Sequence, residues 1–321
     1  MGEQPSWDEV AAIALRSYGL DGASMTRAGG ASNTNFRVDA GGWAYLLRLH
    51  TAGEHDRAAI RSELEWLRSL RADTPLVLPE PVPAGDGELV ASVAVGRWQN
   101  LLCTLLTWVE GQIPPTAEAL SAAQLASAGA AMGQLHRYAQ ASGLPGGFVR
   151  PSYDAAYFAS RLAQLVRSVR QAAFDQETLG RFHADAGTLI QQLAHLERRA
   201  DSFGVIHADF HSGNYVLDGD AVRIIDFDRC GSGFYLHDLA LALMELDEAQ
   251  QRLFLEGYAS IAPLPEGHPG RTGLFLCLAY IDNLGFLAAR EEEWPFVLGE
   301  LPGVVALARQ EAVRVASSAG T

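Results

Sequence analysis

The chain contains no lysine: all 24 of its basic side chains are arginines, set against 38 carboxylates for a net charge of −14 over 321 residues. That balance argues against a surface built for nucleic acid or an anionic membrane, which needs clustered positive charge to meet phosphates. A solvated acidic surface is also compatible with a cationic substrate. Cysteine is scarce as well. Cys103, Cys230 and Cys277 lie far apart without metal-ligand spacing, so no disulfide framework is implied and buried thiols in a reducing compartment are expected. Long apolar runs are missing too, and a stretch such as Leu274 to Ile281 is too short to cross a bilayer. Glu3, Asp8 and Glu9 stand where a secretory leader would be basic and then apolar. Met1-Gly2-Glu3-Gln4-Pro5-Ser6 fits a myristoylation pattern short enough to match often by chance. A cytoplasmic location with no membrane partner is the expectation.

What the sequence does hold is a large apolar fraction, 48% against 19% charged, enough to bury a sizeable core and to divide into two lobes. One stretch organises the rest: Val205-Ile206-His207-Ala208-Asp209-Phe210-His211-Ser212-Gly213-Asn214-Tyr215-Val216-Leu217, followed by Val222-Arg223-Ile224-Ile225-Asp226-Phe227-Asp228. Two short apolar runs flank Asp218-Gly219-Asp220, which reads as a hairpin turn. Such a hairpin brings Asn214 and Asp226 side by side at its open end. Two hard oxygen ligands at one corner suit Mg2+ bridging nucleotide phosphates. Asp209, five residues before Asn214, stands where it can take a proton from a hydroxyl placed beside that metal, an arrangement that suits phosphoryl transfer.

The spacing His207-x-Asp209-x-x-x-x-Asn214, with Asp226 after an apolar strand, resembles the catalytic and metal-binding loops of the protein-kinase-like superfamily. Phe210-His211-Ser212-Gly213 is more similar to the aminoglycoside phosphotransferase and choline or homoserine kinase branch than to protein kinases proper. The resemblance implies an α+β, bilobal protein-kinase-like fold, with Asp209 as catalytic base and with Asn214 and Asp226 holding Mg2+. His211 and Asp228 are further candidates for the metal or the acceptor. A competing reading takes His207, Asp209 and His211 as three side chains on one face of a strand, able to ligate zinc in a hydrolase. It leaves Asn214 and Asp226 without a role.

Upstream, residues 7 to 18 read as a helix ending at Gly19. Ala28-Gly29-Gly30-Ala31-Ser32-Asn33-Thr34-Asn35 is a small-residue loop entering a strand. Its amides and the Ser32 hydroxyl are suited to phosphates, and by resemblance Gly30, Ser32 and Asn33 cover them. Trp43 to Leu49 is a clear strand, and aligned with the kinase motif Val-Ala-Ile-Lys it puts Arg48 in the position of the phosphate-binding lysine. An arginine fork can grip phosphate oxygens and a carboxylate together, though its reach and shape differ from those of an ammonium. In the helix expected over 56 to 71, Ile60, Leu64 and Leu67 mark the buried stripe. Glu63 at its margin would pair with Arg48, as the family's helix-C glutamate does.

Strands follow over Leu89 to Val95 and Asn100 to Trp108. The lobe boundary is expected there, giving a nucleotide-binding lobe over 1–108 and a helical catalytic and substrate lobe over 109–321. By resemblance, the backbone around Trp108 and Val109 meets adenine. Residues 117 to 140, 152 to 200, 271 to 290 and 295 to 317 read as helical. His136 is expected to be a packed residue and Asp238 to cap a helix, and the resemblance implies that Asp238 also steadies the catalytic loop. Asp282 and Asn283 interrupt an apolar surface, either facing the acceptor or satisfied in the core. The function expected is transfer of the γ-phosphate of ATP to a hydroxyl of a small molecule of the aminoglycoside, amino sugar, homoserine or choline class. A nucleotide-binding pseudokinase, suggested by Arg48 in place of lysine, and a protein Ser/Thr kinase are the alternatives.

Overall fold

A computed structural model describes residues 5–29, 33–96, 98–172 and 174–318. In chain order the elements are α1 (Trp7–Arg16), β1 (Ser24–Ala28), β2 (Thr34–Ala40), β3 (Trp43–Leu49), α2 (Arg57–Asp73), β4 (Pro81–Val82), β5 (Ala91–Val95) and β6 (Trp98–Thr107). There follow α3 (Ala122–Ser142), α4 (Ala155–Gln171), α5 (Gln176–Ala194), β7 (Phe203–Ile206), β8 (Tyr215–Asp218), β9 (Ala221–Ile224) and β10 (Gly231–Phe234). The chain closes with α6 (Tyr235–Leu243), α7 (Glu248–Ala259), α8 (Thr272–Leu287) and α9 (Trp294–Ser318). Antiparallel strands early and helices late make this the expected α+β class.

Two compact units emerge. The first joins Met1–Pro115, Pro145–Arg150 and Gly213–Asp228; the second joins Thr116–Leu144, Pro151–Ser212 and Arg229–Thr321.

In the first unit, the antiparallel sheet runs β1-β2-β3-β6-β4, with β5 also paired to β6. The sequence reading omitted β1, whose side chains are largely exposed and show no alternation, and β4, a two-residue strand beginning at Pro81. Alternation along β2, β3 and β6 sends Phe36, Val38, Leu47, Leu49, Cys103 and Leu105 into one core, which α1 closes with Val10, Ala11, Ala14 and Leu15. Ser6 and Glu9 form a capping box that starts α1. Asp56 caps α2 by accepting the Ala59 amide at 2.8 Å. Buried Ile60, Leu64, Leu67 and Leu70 form the packing stripe of α2, and Glu63 is buried among them at 1% exposure.

In the second unit, α3 and α7 pack in close contact because glycines face the seam. A Cβ at Gly129 would stand 1.9 Å from the Phe254 carbonyl oxygen, and one at Gly257 would stand 2.0 Å from that of Ala126. The short ribbon β7–β10 pairs Ile206 with Gly231 and Phe203 with Phe234. Helix α8 is apolar nearly all round and packs against α4, α6 and α9, which is the signature of a buried helix. Among the described residues no helix is long and apolar enough to cross a membrane.

Candidate active site

The hairpin β8–β9 forms in the first unit, with Tyr215 opposite Ile224 and Asp218 opposite Ala221. Gly219 takes φ 62° in its turn. One bond beyond the paired strands, the Ile225 amide donates to the Asn214 carbonyl at 3.1 Å, so Asn214 and Asp226 sit at the open end. Asn214 is 8% exposed, and the Asp226 side chain is 39% exposed. Asp226 adopts φ 64°, a left-handed conformation that aspartate tolerates better than most residues and that tends to occur at functional positions.

Arg48 lies on β3 between Asn35 of β2 and Thr104 of β6. Only 4% of it is exposed, and its two terminal nitrogens take different carboxylates: Glu63 at 3.0 Å and Asp226 at 2.9 Å. Asp228 stands 3.6 Å away. Burial opposes the guanidinium charge, but Asp226, Glu63 and Asp228 outweigh it and hold its pKa above the ordinary value. Arg150 approaches the other Glu63 oxygen at 3.9 Å and donates to the Asp228 carbonyl. Two arginines thus face three carboxylates. Burial pushes the Glu63 carboxyl up against the pull of Arg48, and the neighbouring His50 and His55 are pushed towards neutrality, chiefly by burial.

Asp228 is buried and accepts from Asn33 Nδ2 at 3.0 Å. Asn33 in turn accepts the Thr51 amide at 3.1 Å. Gly30 and Ser32 lie outside the described residues. After β6, the Trp108 amide donates to the Ala44 carbonyl at 2.9 Å, so that donor is already engaged. The Trp108 ring carries the Arg37 guanidinium 4.9 Å from its centroid, a cation–π arrangement. Val109 follows in the same partly buried segment. Arg223 holds the Glu110 carbonyl at 2.7 Å, and Gln112 pairs with Leu217. The segment after β6 is therefore stitched to the hairpin.

Asp209 belongs to the second unit. It follows β7 through Ala208, held at φ 60°. Asp238, fully buried near the start of α6, accepts the amides of His207 at 2.7 Å and Ala208 at 2.6 Å, with His136 Nε2 at 3.1 Å. His136 also meets the Tyr258 hydroxyl at 3.0 Å. Burial disfavours the Asp238 carboxylate, but the His136 hydrogen bond and His207 outweigh it and keep its pKa low.

The Asp209 carboxylate lies 3.7 Å from His211 Nε2 and 3.4 Å from Arg229. Burial acts against its charge, yet the His211 hydrogen bond, Arg229 and His207 together hold it well below the usual carboxylate range. Asp209, His211 and Arg229 line a cavity of about 660 Å³ together with Glu118, Glu245 and Glu300. Tyr280, Asn283 and Phe296 add mixed polar and apolar wall. Asp282, next to Asn283, is fully buried instead, accepting the Tyr157 hydroxyl at 2.7 Å and pairing with Arg229.

The zinc arrangement is not formed. β7 ends at Ile206 and the left-handed Ala208 breaks the alternation that would align His207, Asp209 and His211. Among the described residues no three His, Cys, Asp or Glu side chains could hold a metal ion. An Asn–Asp pair is a different kind of site, since Mg2+ takes one or two protein oxygens and completes its shell from phosphates and water. Asn214 and the partly exposed Asp226 carboxylate, one amide and one acidic oxygen donor at the hairpin's open end, fit that demand.

Residues 25–271 match the phosphotransferase enzyme family, APH. The chain belongs to that family. It is an ATP-dependent phosphotransferase. Family relatives include amicoumacin kinase of Bacillus subtilis (strain 168), 23% identical over 237 residues that span 74% of this chain and 67% of that protein. Homoserine kinase of Neisseria meningitidis serogroup B is 26% identical over 247 residues, 73% of this chain and 72% of that one. The structure of a microcompartment-associated aminopropanol kinase matches with a TM-score of 0.79 at 24% identity, covering 96% of this chain and 97% of that chain. The fold of this family member is that of the kinase-like phosphotransferases.

The sequence reading missed Arg229, Glu118, Glu245 and Glu300. Arg229 carries a signal, since it directly follows Asp226-Phe227-Asp228. The three glutamates carry none, because they come from segments far apart in the chain and look like solvated helix residues.

Proposed function

We propose that this phosphotransferase moves the γ-phosphoryl group of ATP to a hydroxyl of a small molecule that also carries an amino group. The observation that carries the reading is the wall of the cavity in the second unit, where Asp209 is accompanied by Glu118, Glu245 and Glu300. A cationic acceptor gains from that wall, and a neutral one of the same size does not. The amino alcohols named in the aminopropanol and homoserine kinases belong to this class. His211 borders the same cavity and is assigned to the acceptor side.

Asp209 accepts the hydrogen bond of the acceptor hydroxyl and aims its oxygen at the phosphorus. With its pKa held low, it is ionised throughout the physiological range and is a weak base. It therefore takes the proton late, once bond breaking to the leaving phosphate has made the hydroxyl acidic, as suits a loose transition state. Asn214 and Asp226 would hold Mg2+, which offsets the charge of the β- and γ-phosphates. Arg48, braced by Glu63, keeps Asp226 in place and serves the phosphate side, with Asp228 and Asn33 fixing the edge of the loop before β2. Trp108 and Val109 are assigned to the adenine.

The test is ADP release measured across amino alcohols, amino sugars and matched diols, beside Asp209→Asn. Turnover confined to amine-bearing acceptors and lost in the variant is the expected result. ATP binding with no ADP release from any acceptor, or turnover that survives Asp209→Asn, would overturn the assignment.

A further inference from the structure

Asp282 is fully buried on α8: its Oδ1 accepts the Tyr157 hydroxyl at 2.7 Å and pairs with Arg161 Nε at 3.2 Å, and its Oδ2 accepts from the Arg229 guanidinium. Arg229 is held in two further places. Its other terminal nitrogen lies 3.4 Å from Asp209, and its carbonyl accepts the Tyr153 hydroxyl at 2.6 Å. The guanidinium therefore spans from a buried carboxylate to the carboxylate in the cavity wall. An arginine fork does this well because its donors are fixed in one plane.

Tyr157 and Arg161 both serve Oδ1 of Asp282, so the Arg229 guanidinium is the donor on Oδ2, and the same planar group reaches on to Asp209. Without a buried anion on its far side, Arg229 would turn both nitrogens onto Asp209 as a bidentate pair, the preferred geometry for such ions. The carboxylate would then be occupied on the side where an acceptor hydroxyl must arrive. We propose that Asp282 is a positioning residue that acts through Arg229, keeping the guanidinium from closing over Asp209 and fixing that carboxylate towards the acceptor. This rests on the assignment of Asp209 made above. Asp282 touches no reacting atom.

The experiment is steady-state kinetics on the whole chain for Asp282→Asn, Arg229→Gln and the double variant, with any amino alcohol that supports ADP release. Displacing a reacting group by about 1 Å costs on the order of 100-fold. Asp282→Asn is therefore expected to lose about 10- to 100-fold in kcat, with KM for ATP within about threefold of wild type by the same argument. The double variant should be no worse than the poorer single one, because the two residues act as a unit. Asp282→Glu should regain part of the rate. Tyr157→Phe removes a donor from Asp282 but not from Arg229; it should lower the melting temperature and leave kcat intact.

If Asp282→Asn fails to fold, Arg229→Lys takes its place, since an ammonium keeps the charge but cannot bridge both carboxylates, and the same loss of kcat is expected. Wild-type kcat in folded Asp282→Asn or in Arg229→Lys overturns the proposal, as do additive losses in the double variant. Turnover that survives Asp209→Asn removes the assignment of Asp209 itself. An inactive Asp209→Asn beside a fully active Asp282→Asn removes only the role given to Asp282.

Discussion

Asp238 accepts the backbone amide of Ala208 at 2.6 Å, and Ala208 stands at φ 60°. A left-handed alanine costs about 1–2 kcal/mol, so something must hold it there, and the fully buried Asp238 does so by taking two successive amides. Asp238→Ala leaves both amides and His136 without their acceptor and is expected to lose about 3 kcal/mol or more. Ala208→Gly removes the steric cost while loosening the unfolded chain, and should stay within about 1 kcal/mol of wild type. Urea unfolding midpoints of the two variants check the pair.

Arg48 bridges Glu63 and Asp226 from a site 4% exposed. Arg48→Met leaves the buried Glu63 with only Arg150, 3.9 Å from its other oxygen, and removing one partner of a buried pair costs about 3–5 kcal/mol. Arg48→Lys keeps the charge but reaches one carboxylate at a time, so it should retain most of the stability and raise KM for ATP. Chemical denaturation separates the first effect, and ADP release against ATP concentration the second.

Two buried histidines make the fold acid-sensitive. Burial depresses His50 to about 3 and His237 to about 4, in each case the largest influence, whereas each titrates near 6.5 when unfolded. Above pH 6.5 both are neutral in either state and contribute no pH dependence. As pH falls below 6.5 the unfolded chain binds protons that the folded chain refuses, so stability drops by about 1.4 kcal/mol per pH unit for each histidine. His50→Gln and His237→Phe should each flatten the decline between pH 6 and 4. His211, raised by Asp209 against the effect of burial, runs in the opposite sense but is common to both comparisons. Unfolding midpoints that fall in parallel for wild type and variants would show the histidines are not the source.

The proposed assignment of Asn214 and Asp226 to Mg2+ predicts magnesium dependence. Chelation should stop turnover, and Asn214→Ala should raise the Mg2+ concentration for half-maximal rate on the order of 10- to 100-fold, the range seen when support of a metal site is lost. ADP release titrated with MgCl2 reads this directly.

The hairpin, β3, α2 and the closing helices were legible because their signals are local. Asp218-Gly219-Asp220 dictates the turn, and the spacing of Ile60, Leu64 and Leu67 fixes which face of α2 is buried. Glu63, three residues from Ile60, goes inward with that stripe. The rest depends on tertiary partners. β1 has no buried alternation to reveal it, and β10 is Gly231-Ser232-Gly233-Phe234, a composition that strands disfavour. Here the glycines fit because Pro151 and Ile206 crowd the backbone. Helix α7, whose Gly257 lies against Ala126, was overlooked because its burial rests on contact with α3. Asp282 and Asn283 are adjacent in sequence, yet helical rotation of about 100° sends one into the core and the other into the cavity wall.

The absence of lysine from the strand position filled by Arg48 also bears on how this protein can be studied and controlled. Reagents that acylate or form Schiff bases with side-chain amines, including nucleotide probes that deliver an acyl group to a nearby ε-amine, have no such target anywhere in these 321 residues. Acetylation cannot silence the site either, and an arginine stays ionised at any pH the fold survives. Chemistry selective for guanidines, such as α-dicarbonyl labelling, is what remains for the protein's cationic side chains.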